Sequence, residues 1–281
     1  MSDGRVATDG GVESSPGLRI AVTGAGGRMG REVIEAAADR EGVAVAVAVN
    51  RSLVDPVAGV AVESAADLDG LLASEEPDVL VDFTGPASAV AYAEACADAG
   101  VPLVTGTTGF DEDGLDDLRA ASDAVPVLKA SNFARGVAAL RRAVREAAAA
   151  LPGYDVELTE THHNGKRDAP SGTAKSILDD VGDARPDLDE RVHGREGDAP
   201  RAATETGVHA RRAGDVTGEH EVLFAGNREA LELTHRAGDR GVFAEGALDA
   251  AAWLVDRDPG WYGFGDVLDA GDTEDAGDSG Q

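Results

Sequence analysis

Apolar and polar residues follow one period in the first half of this chain and another in the second. In the first half, short and largely apolar runs (Leu18 to Val22, Val43 to Val49, Asp78 to Asp82, Pro102 to Thr105, Pro126 to Lys129) alternate with helical patterns at Arg28 to Arg40, up to about Ala99, and from Asp113 to Ser122. Runs this short predict strands, and strands separated by helices predict a parallel sheet with crossover helices on its faces. Beyond Phe133 a long Ala-rich helix (Arg135 to Ala150) leads into Tyr154 to Thr161, which alternates like a half-buried strand. Further alternating runs follow at Ala203 to Arg212, Glu219 to Phe224 and Ala230 to Arg236, separated by Gly-containing turns. Strands without helices between them predict a mixed or antiparallel sheet covered by helices on one face, with the other face left for oligomerisation. A last helix, Gly241 to about Asp256, has an apolar stripe at Phe243, Ala247, Ala250 and Leu254 and is expected to return to the first half.

The expected organisation is a polar, Gly/Ser-rich lead over residues 1–17, a first domain over 18–133 completed by about 241–268, a second over 134–240, and an acidic tail over 269–281. The ends lack periodicity and apolar content, so both are expected to be flexible.

Charge changes the picture most. The 281 residues include 53 acidic and 25 basic side chains, a formal charge of -28 and a pI near 4.4. Such a surface repels the nucleic-acid backbone and excludes nucleic acid as a partner. Acids scattered throughout, with only Lys129, Lys166 and Lys175 as lysines, fit a surface that stays hydrated in concentrated salt, and predict a halophilic cytoplasm. No apolar run is long enough to span a membrane, and no basic, then apolar leader opens the chain. The single cysteine, Cys96, lies in an Ala-rich helical pattern and excludes an internal disulfide.

Candidate chemistry begins where the first strand ends. Thr23 to Arg31 reads TGAGGRMGR, with Gly24, Gly27 and Gly30 spaced as GxxGxxG. Standing between a strand and a helix, with a second strand beyond, these glycines complete a βαβ dinucleotide-binding unit in which the backbone approaches a pyrophosphate. The fold class is thus α/β, a Rossmann-type doubly wound parallel sheet plus a second α+β domain with a mixed sheet. The second strand ends in Asn50-Arg51, where a carboxylate would favour NADH; a neutral Asn beside an Arg accepts a 2′-phosphate and points to NADPH. Loops at Phe83 to Pro86, Gly106 to Phe110 and Ala130 to Phe133 all end strands on one edge, the ligand edge of such sheets.

The second candidate stretch, Glu160 to Ala174, reads ETHHNGKRDAPSGTA. His162, His163 and Lys166 fall on an expected turn and offer a cluster of proton donors. Asp168 to Ala174 has the form of a helix start, with Asp168 as cap and Pro170 near the first turn. Its free backbone N–H groups, with the hydroxyls of Ser171 and Thr173, form an anion site for a carboxylate or phosphate. A metal on the two adjacent histidines is disfavoured, because neighbours point apart and no Cys or carboxylate stands at usual ligand spacing.

Taken together, VTGAGGRMGRE, VDFTGP, GTTGF, ASNFARGV, ETHHNGKRDAPSGTA, REG at 195–197, RAGDVTGEHEVLF and ELTHRAGDRGVFAEGA closely resemble the 4-hydroxy-tetrahydrodipicolinate reductase (dihydrodipicolinate reductase) family, from about Leu18 to Leu268. The resemblance implies reduction of a cyclic unsaturated dicarboxylate with NADPH or NADH in the diaminopimelate and lysine pathway, by a homotetramer. It implies that Gly24, Ala25, Gly26, Gly27, Arg28 and Met29 cradle the pyrophosphate and that Arg51 meets the 2′-phosphate. Asn50 departs from members with an acidic residue there. Gly106, Thr107 and Thr108 with Ala130, Ser131, Asn132 and Phe133 would line the nicotinamide. His162 would be the catalytic proton donor or acceptor and Lys166 the proton donor; His163, Gly172 and Thr173 would hold substrate carboxylate. Another two-domain nicotinamide dehydrogenase has no reason to carry this histidine stretch, and a non-catalytic NADPH-binding sensor would be expected to lose His162 or Lys166.

Overall fold

The computed structural model describes residues 17–274. The expected flexible lead therefore lies outside the described residues apart from Gly17, as does the end of the acidic tail from 275. The first half contains β1 (Leu18–Thr23), α1 (Arg28–Asp39), β2 (Val43–Asn50), β3 (Glu63–Ser64), α2 (Leu68–Glu75), β4 (Val79–Asp82), α3 (Pro86–Ala99), β5 (Leu103–Thr105), α4 (Glu112–Ala121) and β6 (Pro126–Lys129). Then come α5 (Arg135–Ala150), β7 (Asp155–His162), α6 (Gly172–Ala184), β8 (Glu190–His193), β9 (Glu205–Arg212), β10 (Gly218–Gly226) and β11 (Glu229–Ala237). The described chain closes with α7 (Gly241–Leu254), β12 (Gly260–Tyr262) and α8 (Phe264–Glu274).

The first sheet is parallel throughout, in the order β12-β6-β5-β4-β1-β2-β3. Its strands are apolar at consecutive positions because both faces are covered. Ile20, Val22, Val79 and Val81 pack beneath α1 and α7, while Ala21, Val47, Leu80 and Leu103 pack on the side of α2, α3 and α4. Strand order reverses at β1, which lies between β2 and β4, and this opens a crevice at the carboxyl ends.

Helix α7 packs against α1 and β4 to β6. Its buried face is wider than the expected stripe: Ala244, Gly246, Ala247, Leu248, Ala250, Ala251 and Leu254 are all buried, and Phe243 is only half-buried. Five elements have no counterpart among the predicted ones, among them β8, a four-residue strand paired with β9 alone. Strand β3 and helix α2 fall where periodicity is faint, since α2 buries only Leu68 and Leu72. Strand β12 is three residues against β6, and α8 takes in residues 269–274, the start of the expected tail.

The second sheet is mixed, in the order β11-β10-β7-β9-β8, with β7, β9 and β8 parallel and β10 and β11 antiparallel to their neighbours. Val156, Leu158, Val208, Val222 and Phe224 bury one face beneath α5 and α6. The opposite face carries charged side chains, among them Glu157, which binds Arg201 and His209.

Candidate active site

At the carboxyl end of β1 the chain turns through Gly24, whose φ of +68° lies in the left-handed region that only glycine adopts without strain. Helix α1 then begins in contact with that turn: a Cβ on Gly30 would sit 2.1 Å from the Gly24 carbonyl oxygen. Gly27 donates its N–H to that same oxygen at 2.8 Å. No side chain can stand between the backbone and a pyrophosphate here, so the residues present fit a dinucleotide. Asn50 is bound into the cradle, accepting from the Gly26 N–H at 3.2 Å while its amide donates to the Ser52 carbonyl at 2.7 Å. A carboxylate could accept the first bond but could not make the second. Arg51 and Arg28 are exposed, Met29 is half-buried against the first core, and Gly24, Gly27, Asn50, Arg51 and Thr84 line one open groove.

Sequence reasoning missed the residue that organises this edge. Asp82, fully buried at the end of β4, accepts hydroxyl bonds from Thr23 (2.8 Å), Thr84 (2.6 Å), Thr105 (2.8 Å) and Thr107 (2.6 Å). These threonines come from the ends of β1, β4 and β5, so one carboxylate fixes three loops. The Thr107 hydroxyl is thereby committed, whereas Thr108 and Ser131 are exposed. Gly106 is required for a different reason: a Cβ there would overlap the Phe83 ring. Ala130 donates its N–H to the Thr105 carbonyl at 3.1 Å, which sets the following loop. Phe133 is buried at the core edge between Phe83 and Phe264, so its ring is packing.

In the second sheet, alternation places Glu160 and His162 of β7 on the helix-covered face, with His220 of β10 opposite Glu160 and Arg212 of β9 opposite His162. The sequence places His162 on a turn with His163 and Lys166, but it is the last residue of strand β7, and only His163 to Lys166 turn. Glu160 is fully buried and receives both guanidinium nitrogens of Arg212 at 2.9 Å, the His162 Nδ1 at 2.5 Å and the Ser171 N–H at 3.2 Å. Burial pushes its carboxyl upward, but the bonds and charges of Arg212 and His162 outweigh burial and hold it below the ordinary value. Burial is also the largest influence on His162; with the charges of Lys166 and Arg212 it outweighs Glu160 and lowers the imidazolium pKa. Since Nδ1 faces the carboxylate, Nε2 is the nitrogen left for chemistry.

Lys166 pairs with Asp168 at 2.9 Å, and Asp168 is not the helix cap. Helix α6 starts later, at Gly172, and Ser171 caps it by accepting the Ala174 N–H at 3.1 Å. His163 is half-buried beside Gly165, and Gly172 is exposed at the helix start. Asn132 joins the two halves, donating its amide to the Thr173 hydroxyl at 2.9 Å. Glu160 was visible in principle, because a glutamate in phase with Val156 and Leu158 has to face the core.

A glycine cradle for a dinucleotide in one half and a buried Glu160–Arg212–His162 group in the other, with Asn132 and Thr173 bonded between the halves, is the arrangement of a nicotinamide-dependent oxidoreductase, and that is the class of this chain. Residues 18–133 match the family model for dihydrodipicolinate reductase, N-terminus, and residues 136–268 that for dihydrodipicolinate reductase, C-terminus. The chain belongs to the dihydrodipicolinate reductase family. It is 58% identical over 252 residues to a 4-hydroxy-tetrahydrodipicolinate reductase of Haloarcula marismortui, covering 90% of this chain and 99% of that one. It is 52% identical over 251 residues to the protein of the same name from Natronomonas pharaonis, covering 89% and 100%. Among solved structures it resembles a dipicolinate-bound dihydrodipicolinate reductase from Paenisporosarcina sp. TG-14, with a TM-score of 0.73 and 25% identity over 90% of this chain and 100% of that one.

Proposed function

We propose that the chain reduces 4-hydroxy-tetrahydrodipicolinate to tetrahydrodipicolinate in the diaminopimelate and lysine pathway, using NADPH in preference to NADH. The observation that carries this is the buried Glu160–Arg212–His162 group beside the start of α6, joined through Thr173 and Asn132 to the cofactor edge. The overall change takes up one hydride and one proton and releases one water. Bound nicotinamide nucleotide supplies the hydride. The residues of this chain supply the rest. Gly24 to Met29 hold the pyrophosphate, Arg51 meets the 2′-phosphate, and the loops at Gly106 to Thr108 and Ala130 to Phe133 fix the nicotinamide against the seam. Lys166 donates the proton, and His162, oriented through Nδ1 by Glu160, holds or passes a proton at Nε2. His163, Ser171, Gly172 and Thr173 take a substrate carboxylate at the α6 N-terminus, the positive end of its dipole. The dipicolinate on the Paenisporosarcina protein supports a small ring dicarboxylate as ligand.

The functional division follows the same residues: 18–133 with 241–268 bind cofactor, and 134–240 bind substrate and assemble a homotetramer through the charged face of the mixed sheet. No helix among the described residues is long and apolar enough to cross a membrane. The charge of -28 supports a cytoplasm rich in salt. The test is NADPH and NADH oxidation in concentrated KCl, with substrate generated in place from pyruvate and aspartate semialdehyde by a synthase. Fast oxidation of NADPH with slow oxidation of NADH is expected; oxidation of neither by folded, NADPH-binding protein would refute the reading.

A further inference from the structure

We propose that His220 is a positioning residue that frees the hydroxyl proton of Ser171 to bind the substrate carboxylate; this deepens the functional reading above and rests on it. His220 is 2% exposed, directly across the sheet from Glu160, with its ring edge-on to His162 at 5.3 Å. Its Nε2 lies 3.1 Å from the Ser171 Oγ, and its Nδ1 is buried without a hydrogen-bond partner. Burial, with His162 close by, pushes its imidazolium pKa down to about 4, so the ring is neutral and carries one proton.

That proton has two possible places. On Nδ1 it would be a buried N–H with no acceptor, and Ser171 would spend its own proton on Nε2. On Nε2 it is donated to Ser171, and only a lone pair at Nδ1 is left bare. Orphaned buried N–H groups are rarer in proteins than under-satisfied acceptors, which selects the Nε2–H form. Ser171 Oγ then accepts two bonds, from the His220 Nε2–H and the Ala174 N–H. Its own hydrogen must point elsewhere. Among the described residues no other acceptor takes it, and it lies at the α6 start beside the free N–H groups of that turn. His220 thus converts a capping serine into a further donor for an anion.

Long-range proton–nitrogen NMR of histidine-labelled protein, without substrate, is expected to find His220 protonated at Nε2 and bare at Nδ1. An Nδ1–H tautomer overturns the proposal whatever the enzyme's reaction. Calorimetry with dipicolinate tests the consequence. Ser171→Ala should weaken binding about tenfold, the loss of one charge-assisted hydrogen bond. His220→Leu, which leaves the hydroxyl its proton but removes the donor that fixes its direction, should weaken binding by less, and the double variant should be no weaker than Ser171→Ala. His220→Gln, which keeps an N–H at the Nε2 position, should recover most of the affinity, with NADPH binding unmoved in every variant. Additive losses, or a His220→Gln variant as weak as His220→Leu, overturn the proposal. Absence of dipicolinate binding to the unaltered protein would instead sink the functional reading, and the carboxylate role of Ser171 with it, independently of the tautomer.

Discussion

Replacing Arg212 by Met would leave the Glu160 carboxylate buried with no cation bonded to it. Arg212 makes two 2.9 Å bonds to that carboxylate and a third, at 2.5 Å, to the Asp168 carbonyl, and Glu160 has no exposed surface through which water could substitute. Removing one partner of a buried ion pair costs about 3–5 kcal/mol. At about 2–4 °C per kcal/mol for a chain of this size, the melting temperature in concentrated KCl should fall by roughly 6–20 °C at neutral pH. Without the guanidinium, burial raises the folded-state pKa of Glu160 above its unfolded value. Its contribution is then retained at low pH and lost as pH rises, so the deficit should shrink toward about pH 5. The double variant Glu160→Gln/Arg212→Met removes both charges and should melt above Arg212→Met alone. His162 offers an independent readout: loss of the Arg212 charge raises its imidazolium pKa, so the alkaline fall in kcat/KM should move to higher pH. A drop of under about 2 °C, or a double variant no more stable than the single one, would refute the assignment of Arg212 as counter-ion.

Four further outcomes are expected. His162→Ala and Lys166→Ala should each lower turnover by about 10²- to 10⁴-fold while leaving NADPH affinity near that of the unaltered protein, measured by fluorescence titration. Arg51→Glu should raise KM for NADPH at least about tenfold and leave KM for NADH little changed, since one charge-assisted phosphate bond is lost and a repulsion gained. Gly30→Ala would place a methyl 2.1 Å from the Gly24 carbonyl oxygen; overpacking of this kind costs about 1–3 kcal/mol, and the same variant should bind NADPH more weakly by calorimetry. His220, with its pKa lowered from 6.5 to about 4, binds fewer protons folded than unfolded. Its contribution is complete above about pH 6.5 and falls by up to about 3 kcal/mol as pH drops to about 4, and His220→Gln should flatten that part of the stability profile.

The parallel half was legible because its strands are apolar on both faces and its crossover helices carry a clear period, so Val43 to Val49 or Pro126 to Lys129 needed no tertiary information. Strand β3, helix α2 and strand β12 were not, because each buries too few residues for a period to form. The glycine loop and the histidine stretch stood out through local spacing. Their supporting residues did not: Arg212 lies 52 positions from the Glu160 it neutralises, and Thr23 lies 59 from Asp82. The helix cap was misplaced because Asp168 and Ser171 are both good caps, and only the ion pair of Asp168 with Lys166 decides between them.

Because Asp82 holds hydroxyls from three strand ends at once, the loops that follow them cannot vary independently. A change of Thr23, Thr105 or Thr107 alone strips a buried carboxylate of a donor, and a change of Asp82 alone orphans four hydroxyls. Substitutions along this edge should therefore show strong epistasis, tolerated in combination and harmful singly. Grafting one of these loops from a related enzyme would succeed only where the donor carries the same threonines, which makes Asp82 a constraint on how this whole sheet edge can evolve.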